Sequence, residues 1–409
     1  MNQFTDRSDF GVVANDAFPT KMEDTTVSTF RQGARTGRRN GALLWAAVAT
    51  VSALTLAACS GGSGSSDDTG GSGSDSTVVT DAMGPIDKID APTAAFTPPS
   101  DKHILIMPCG SAGTGCVTEA DESQKVAESL GWTVDVIDGK LDPTVWNQTV
   151  KTAVNSGVDG IIAVSADPNL YGEAMELVAE KDIPFVLTEQ TPGDQDVEGI
   201  DTYIAPDPSV GGPDVGEWVN EDSDGKAQVL LLDIPGFTNV QQRTAAIAET
   251  LEASCEECVV YQEDVTAATF GTSLAPLVTN QLQQHPDIKY IWASDDVLVS
   301  FVQQGIQQAG KTDSVKVMSM TGYPEQMTQI KTGEMALELA SATPYAAWLS
   351  VDSLARLMAG EPTEKFWALP QRIWTAQNIG DAPASIFEKG WDIEVDYQTM
   401  FNELWGRTE

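Results

Sequence analysis

The sequence predicts an α/β fold with doubly wound parallel sheets, and three observations predict it. Between residues 134 and 190, short apolar segments alternate with amphipathic segments. The segment Asp159–Val164 contains the continuous apolar run GIIAV, which is typical of a strand buried on both faces. Short strands that alternate with helices are joined in parallel by right-handed crossovers. The chain has 409 residues, which is enough for two domains.

The stretch 134–190 contains three predicted strands and two predicted helices. Ligands of parallel α/β sheets bind in the crevice beyond the carboxyl ends of the strands. The polar residues at these ends are Asp138, Asp167, Glu189 and Gln190. No strand end carries a glycine run that could bind phosphate. The predicted elements are strands Val134–Ile137, Asp159–Val164 and Ile183–Leu187, and helices Trp146–Asn155 and Leu170–Lys181.

The first 58 residues are typical of an export signal. Basic residues are followed by the uncharged apolar segment Gly41–Ala58, and Cys59 comes directly after Leu-Ala-Ala. This pattern resembles the bacterial lipobox, which implies cleavage before Cys59 and attachment of a lipid to its thiol. The alternative, a transmembrane helix, is disfavoured by the Gly/Ser/Asp tract that follows. Residues 59–100 are predicted to be the lipidated cysteine and an extended tether.

The composition argues against two classes of partner. The chain has 60 acidic and 23 basic residues and a net charge of −37. Such a charge disfavours nucleic acids and anionic lipid surfaces as partners. Because the acids are spread along the chain, we interpret them as a solvated shell, and membrane contact is expected through the lipid anchor only.

The remaining four cysteines form two closely spaced pairs, Cys109 with Cys116 and Cys255 with Cys258. In an exported protein such pairs predict disulfides. The C-x-x-C spacing of the second pair also fits a thioredoxin-like redox site, and four cysteines could bind zinc. A structural disulfide is favoured because the pair lies between a predicted helix and a strand. No metal and no cofactor are therefore expected.

Several segments, in order, resemble a known family. They include DGKLDPTVWNQ, SGVDGIIAVSADPN and QHPDIKYIWASDDVLVSFVQQGIQQAG. The region 102–362 resembles the sugar-binding proteins of bacterial ABC importers, the ribose- and galactose-binding type of the periplasmic-binding fold. This resemblance implies two lobes joined by three crossings. It places residues 101–203 and 342–370 in the first lobe, and residues 204–341 and 371–409 in the second.

The resemblance also implies a ligand site, from which this chain departs in places. The aromatic residues that the family carries after its first strand are absent, and Ser111 and Thr114 stand there with the cysteines. A family arginine aligns with Gln241, and a family aspartate aligns with Thr321. Asp295 matches the first member of the family's Asn-Asp or Asp-Asp pair, which hydrogen-bonds sugar hydroxyls. The candidate ligand-binding residues are Ser111, Thr114, Asp138, Asp167, Glu189, Gln190, Phe237, Asn239, Gln241, Phe270, Asp295, Thr321 and Ser341.

The predicted function is capture of a small ligand, most simply a sugar, for delivery to an ABC permease. We expect a monomeric lipoprotein on the outer face of the cell membrane. An enzyme is disfavoured because the two histidines lie in no catalytic motif. A receptor for a sensory kinase or chemoreceptor would use the same fold and stays open as an alternative.

Overall fold

A computed structural model of the protein describes residues 77–193, 197–266 and 269–407. This part of the chain forms two lobes, each with a six-stranded sheet packed against helices. The predicted α/β class is confirmed. The predicted signal peptide, residues 1–58, and Cys59 lie outside the described residues. None of the helices in the described ranges is long and apolar enough to cross a membrane.

The sheet of the first lobe is entirely parallel. Its strands are β1 (His103–Pro108), β2 (Thr133–Val136), β3 (Gly160–Val164), β4 (Phe185–Thr188), β5 (Thr202–Pro206) and β11 (Phe366–Leu369). In space they follow the order β11-β5-β4-β3-β1-β2. Strand β3 is buried at every position, as its apolar sequence GIIAV predicts.

The helices that pack on this sheet are α2 (Thr114–Ser129), α3 (Pro143–Ser156), α4 (Gly172–Lys181) and α10 (Thr343–Ala359). Helix α3 shows why they begin and end where they do. The Asp142 carboxylate accepts a hydrogen bond from the Thr144 N–H at 2.8 Å, and Pro143 occupies the first turn. Gly157 ends the helix in the left-handed conformation, with φ 82°.

The sheet of the second lobe repeats this arrangement. Its strands are β6 (Gln228–Asp233), β7 (Val259–Asp264), β8 (Tyr290–Ala293), β9 (Lys316–Thr321), β10 (Leu337–Ser341) and β12 (Gln371–Trp374). Their order is β12-β10-β9-β8-β6-β7, and only β12 pairs antiparallel among the described strands. Its helices include α5 (Pro208–Asp222), α6 (Thr238–Ser254), α7 (Ala275–Gln284), α8 (Val299–Gln308) and α9 (Pro324–Thr332), and the short helix α11 (Ile386–Lys389) packs on α9.

The chain passes between the sheets after β5, after β10 and after β11. The first of these passages corrects a predicted boundary. Residues 204–206 were assigned to the second lobe, but β5 completes the first sheet by pairing with β4 and β11. The segment Thr202–Pro206 is buried at every position, and this burial holds it in the first lobe.

Residues 77–100, which we call the strap, were predicted to be part of an extended tether, but they pack on the protein. The strap begins with helix α1 (Thr77–Ala82), and Val79 lies in an apolar cluster with residues of α5. Further along, the Tyr345 hydroxyl donates to the Asp90 carbonyl at 2.6 Å, and the Trp132 indole donates to the Pro99 carbonyl at 2.7 Å. The strap therefore packs on both lobes, because its scattered apolar residues are buried despite its spacer-like composition.

The C-terminal helix α12 (Tyr397–Leu404) corrects a second assignment. Residues 371–409 were predicted to finish on the second lobe, but α12 packs on α10 of the first. The Trp405 ring stacks on Trp348 with centroids 5.6 Å apart, and its indole N–H donates to Asp352 at 2.8 Å. Because Trp391 N–H still bonds to Gly322 in the second lobe, the chain passes between the lobes again before residue 397.

Candidate ligand-binding cleft

A cavity of about 350 Å³ lies between the lobes, at the carboxyl ends of both sheets. Its walls come from the segments after β1, β3 and β4 and from those after β6, β8 and β9. This volume lies within the range of about 300–1,000 Å³ that is usual for small-molecule sites. A wider groove of about 1060 Å³ lies on the second lobe beside the start of β9. Because ligands of such sheets bind at carboxyl ends, the interlobe cavity is the candidate site.

Seven of the thirteen predicted residues line this cavity. Two of them lie at strand ends of opposite lobes, Glu189 directly after β4 and Asp295 shortly after β8. Their carboxyl groups can therefore act on one bound molecule. The seven are Glu189, Phe237, Asn239, Phe270, Asp295, Thr321 and Ser341.

The other six predicted residues do not line the cavity. Asp138 stabilises the loop before α3 by accepting hydrogen bonds from the N–H groups of Ser111 and Lys140, each at 2.9 Å. Gln190 is buried beside the cavity, with a side-chain amide that has no hydrogen bond to the described residues. Three more, Ser111, Thr114 and Gln241, are exposed to solvent. The last, Asp167, forms a hydrogen bond between the lobes.

Three contacts close the cleft around the cavity. The Thr238 hydroxyl donates to the Asp167 carboxylate across the lobes at 2.9 Å, and the Thr191 hydroxyl donates to the Gln242 side chain. At a third place, Gly115 of α2 lies against Tyr323 of the second lobe. A Cβ atom built on Gly115 would lie 2.0 Å from the Tyr323 hydroxyl oxygen. Only glycine fits this approach.

The disulfide between Cys109 and Cys116 forms part of the cavity wall. It ties the end of β1 to the first turn of α2, which begins at Thr114. The loop that would order around a ligand is thereby held in place beforehand, which lowers the entropic cost of binding. The second predicted disulfide, between Cys255 and Cys258, joins the end of α6 to the start of β7, far from the cavity wall.

Glu119 lines the cavity but was not among the predicted ligand-binding residues. Glu119 lies one turn after Cys116 on α2 and is completely buried. Neither of its carboxylate oxygens has a hydrogen bond within the described residues. Its position one helical turn after Cys116 could have indicated that it faces the cavity. In so acidic a chain, however, a glutamate suggested a solvent-exposed position.

The carboxyl groups of the cavity have raised pKa values. Burial raises the pKa of Glu189 to about 7, with the nearby Arg243 guanidinium opposing and Asp295 adding to the rise. Burial likewise raises the pKa of Asp295 to about 6, against a hydrogen bond from the Val297 N–H and the charge of Arg243. The pKa of Glu119 is well above its ordinary value, chiefly through burial and then through Glu189.

Three strand-end residues of the cavity wall have an unusual backbone conformation. Ser165 after β3, Glu189 after β4 and Thr321 at the end of β9 have φ values of 56°, 54° and 138°. Non-glycine residues adopt positive φ rarely, at a cost of about 1–3 kcal/mol each. Such strain concentrates at binding sites, and here it turns three chain segments toward one cavity.

Two α/β lobes around a closed cavity define a cleft-type ligand-binding protein. The comparison with known families agrees, because residues 106–362 match the model of the periplasmic binding protein domain. The chain belongs to this family, as its motifs indicated.

Curated relatives and solved structures are similar over most of the described chain. The ribose import binding protein of Salmonella typhimurium is 24% identical over 251 residues, which is 61% of this chain and 82% of the relative. That of Bacillus subtilis is 21% identical over 253 residues, with 62% and 80% covered. An ABC transporter solute binding protein from Agrobacterium vitis, solved with bound D-fucose, has a TM-score of 0.64 at 18% identity, covering 70% of this chain and 99% of that one. At such identity the structural likeness shows the fold.

Proposed function

We propose that the protein is the extracytoplasmic solute-binding component of an ABC importer for a sugar or a related polyol. The observation that carries the proposal is the pairing of Glu189 and Asp295, from opposite lobes, in one cavity with Phe237 and Phe270. Carboxylates accept hydrogen bonds from hydroxyl groups, and aromatic faces pack on the C–H surfaces of sugars. The names of the relatives, with ribose and D-fucose among their ligands, support this class of ligand.

Ligand binding is coupled to closure of the lobes. The contacts of Asp167 with Thr238 and of Gly115 with Tyr323 form only when the lobes approach. A ligand that contacts both lobes stabilises this closed form by hinge motion. A permease that recognises the closed form would then receive only loaded protein. No catalytic step is part of this function, and the protein acts as a monomer.

Anchoring through Cys59 completes the proposal and is supported by the sequence alone. A lipid on Cys59 would hold the protein at the outer face of the membrane. Replacement Cys59→Ala is expected to move the protein from the membrane fraction to the medium in cell fractionation. Unchanged fractionation would remove the anchor from the proposal.

The ligand class is tested by thermal melting of the purified full-length protein with monosaccharides and polyols. A ligand that binds only the native state adds about 2.7 kcal/mol of stability at a hundredfold excess over its dissociation constant. We expect a rise in melting temperature with a sugar or polyol, lost in Asp295→Asn and kept in the exposed control Asp121→Asn. Absence of any rise, with the protein folded, would refute the proposal.

A further inference from the structure

The cavity has more acidic than basic groups. Among the described residues that line it, three carry carboxyl groups, Glu119, Glu189 and Asp295, and none is Lys or Arg. Arg243 is buried behind the wall, where its charge acts on Glu189, Asp295 and also Asp207. The single positive charge of Arg243 thus acts on three carboxyl groups, and Glu119 is a fourth acid nearby.

The groups behind Asp295 supply no positive charge either. Asp296 and Glu338 are buried next to each other, and Gly322 N–H donates to Glu338 at 2.7 Å. Burial raises both pKa values well above the ordinary range, with the charge of Asp295 adding to the rise at Asp296 and the charge of Asp296 adding to it at Glu338, so the pair stays short of full ionisation. The Tyr323 hydroxyl is the other titratable group that faces the three cavity acids, and its pKa is raised too.

Of the three cavity acids among the described residues, Glu119 is the one whose pKa no cation lowers; the Thr188 hydroxyl alone lowers it. The exposed fraction of Glu119 is 0%, and both carboxylate oxygens lack a hydrogen bond within the described residues. Its electrostatic neighbours are Glu189, another acid, and the Thr188 hydroxyl. A buried carboxylate without a partner is costly, and a cation is the partner that offsets this cost best.

The walls around Glu119 also suit a cation. Phe237, Phe270, Phe301 and Tyr323 line the cavity, and aromatic faces attract desolvated cations by about 2 kcal/mol. Gln241 is exposed on α6 outside the cavity and adds no charge to it. The cavity therefore combines surplus acid, aromatic faces and no cation of its own.

We propose that the ligand carries a protonated amine beside its hydroxyl groups, as in an amino sugar or an amino polyol. Glu119 and Glu189 bind the ammonium group, and Asp295 and Ser341 bind hydroxyl groups. Ser341 contributes a buried hydroxyl with no hydrogen bond to the described residues. This inference rests on the proposed function and narrows its ligand class.

The proposal has a pH signature that a neutral sugar would lack. With pKa values of about 7 for Glu189 and about 6 for Asp295, the acids of the empty cavity are partly protonated at neutral pH. An ammonium group favours their ionised forms, so its binding releases protons and strengthens as the pH rises from 5.5 to 7. Calorimetry in buffers of different ionisation enthalpy measures that release.

The experiment compares matched pairs of ligands on the full-length protein: D-glucosamine with D-glucose, D-galactosamine with D-galactose, and 1-amino-1-deoxy-D-sorbitol with D-sorbitol. In each pair, the first compound has an amine where the second has a hydroxyl group. We expect an amino member to bind at least tenfold more tightly than its parent at pH 7, with proton release. A parent that binds as tightly as its amine would overturn this inference and leave sugar import standing. No binding by any member would overturn both.

Isosteric variants identify the group that provides the preference. Glu119→Gln is expected to reduce the amine preference at least tenfold and to change the affinity for the parent sugar little. Glu128→Gln, an exposed position on the same helix, is the charge-matched control and should keep the preference. Should Glu119→Gln melt early, Glu189→Gln provides the second test. A preference retained in both variants would overturn the assignment.

Discussion

Replacing Gly115 by alanine should block closure of the cleft without harming the fold. The new Cβ would lie 2.0 Å from the Tyr323 hydroxyl oxygen, and ordinary contact begins at about 3.4 Å, so the lobes must stay apart by about 1.4 Å. The 2.9 Å bond between Thr238 and Asp167 would lengthen beyond hydrogen-bonding distance. Losing a hydrogen bond to a charged group costs about 1.5–3 kcal/mol, or roughly a 10- to 150-fold loss of affinity.

The same change should raise the stability of the unliganded protein. Gly115 lies in the first turn of helix α2, where replacing glycine by alanine restricts the unfolded chain and stabilises the fold by about 0.4–1 kcal/mol. Affinity by calorimetry and stability by urea unfolding should therefore move in opposite directions. Gly172→Ala, where a Cβ meets nothing within 4 Å, is the control that should bind normally.

A second substitution should restore binding to the Gly115→Ala protein. Tyr323→Phe removes the clashing oxygen and leaves the ring carbon 3.3 Å from the new Cβ. We expect the double variant to bind more tightly than Gly115→Ala alone. Equal affinities in the single and double variants would refute the argument that this contact limits closure.

Three further predictions follow from buried groups. Folding raises the pKa of Glu119, so the wild-type protein loses stability as the pH rises above the pKa that this group has in the unfolded chain. The melting temperature of Glu119→Gln should therefore rise relative to that of the wild type between pH 5 and 8. A difference in melting temperature that stays constant over this range would contradict the prediction. Replacing Cys109 and Cys116 by serine should cost roughly 2–3 kcal/mol in urea unfolding and weaken ligand binding; an unchanged affinity would show that the loop needs no disulfide. Trp405→Ala should cost about 3–5 kcal/mol, because it leaves a cavity and deprives Asp352 of a hydrogen bond; a loss below about 1 kcal/mol would place the helix outside the core.

The sequence predicted the elements whose local signals agree with their burial. The apolar run at β3 is an example, since adjacent apolar residues indicate its burial. The helix predicted at Trp146–Asn155 lies within α3, but its start at Asp142-Pro143 was not predicted. Strand β5 was missed because its short segment with a terminal proline resembles a turn. It is a strand through its pairing with β4 on one side and, on the other, with β11, which lies far along the chain.

The residues of the candidate site also include some that the sequence could predict and one that it could not. Glu189 and Asp295 could be predicted because each follows a buried strand, and strand ends meet at one edge of a sheet. Glu119 could not, since its helix faces the cavity only after the disulfide and α10 orient it. In a chain with a net charge of −37, one more glutamate carries no signal of its own.

The segments outside the family match explain how the first lobe can act as one rigid body. Both the strap and α12 attach to α10, whose Arg356 donates to the Ala94 carbonyl of the strap and to Asp352. Asp352 in turn accepts from Trp405 of α12. The far end of α10 is thus held on two sides, while Thr343 at its start lines the cavity. Motion between the lobes must then fall on the connections at 206–208, 341–343, 369–371 and 391–397 and on the strap, rather than within the lobe that carries Glu119.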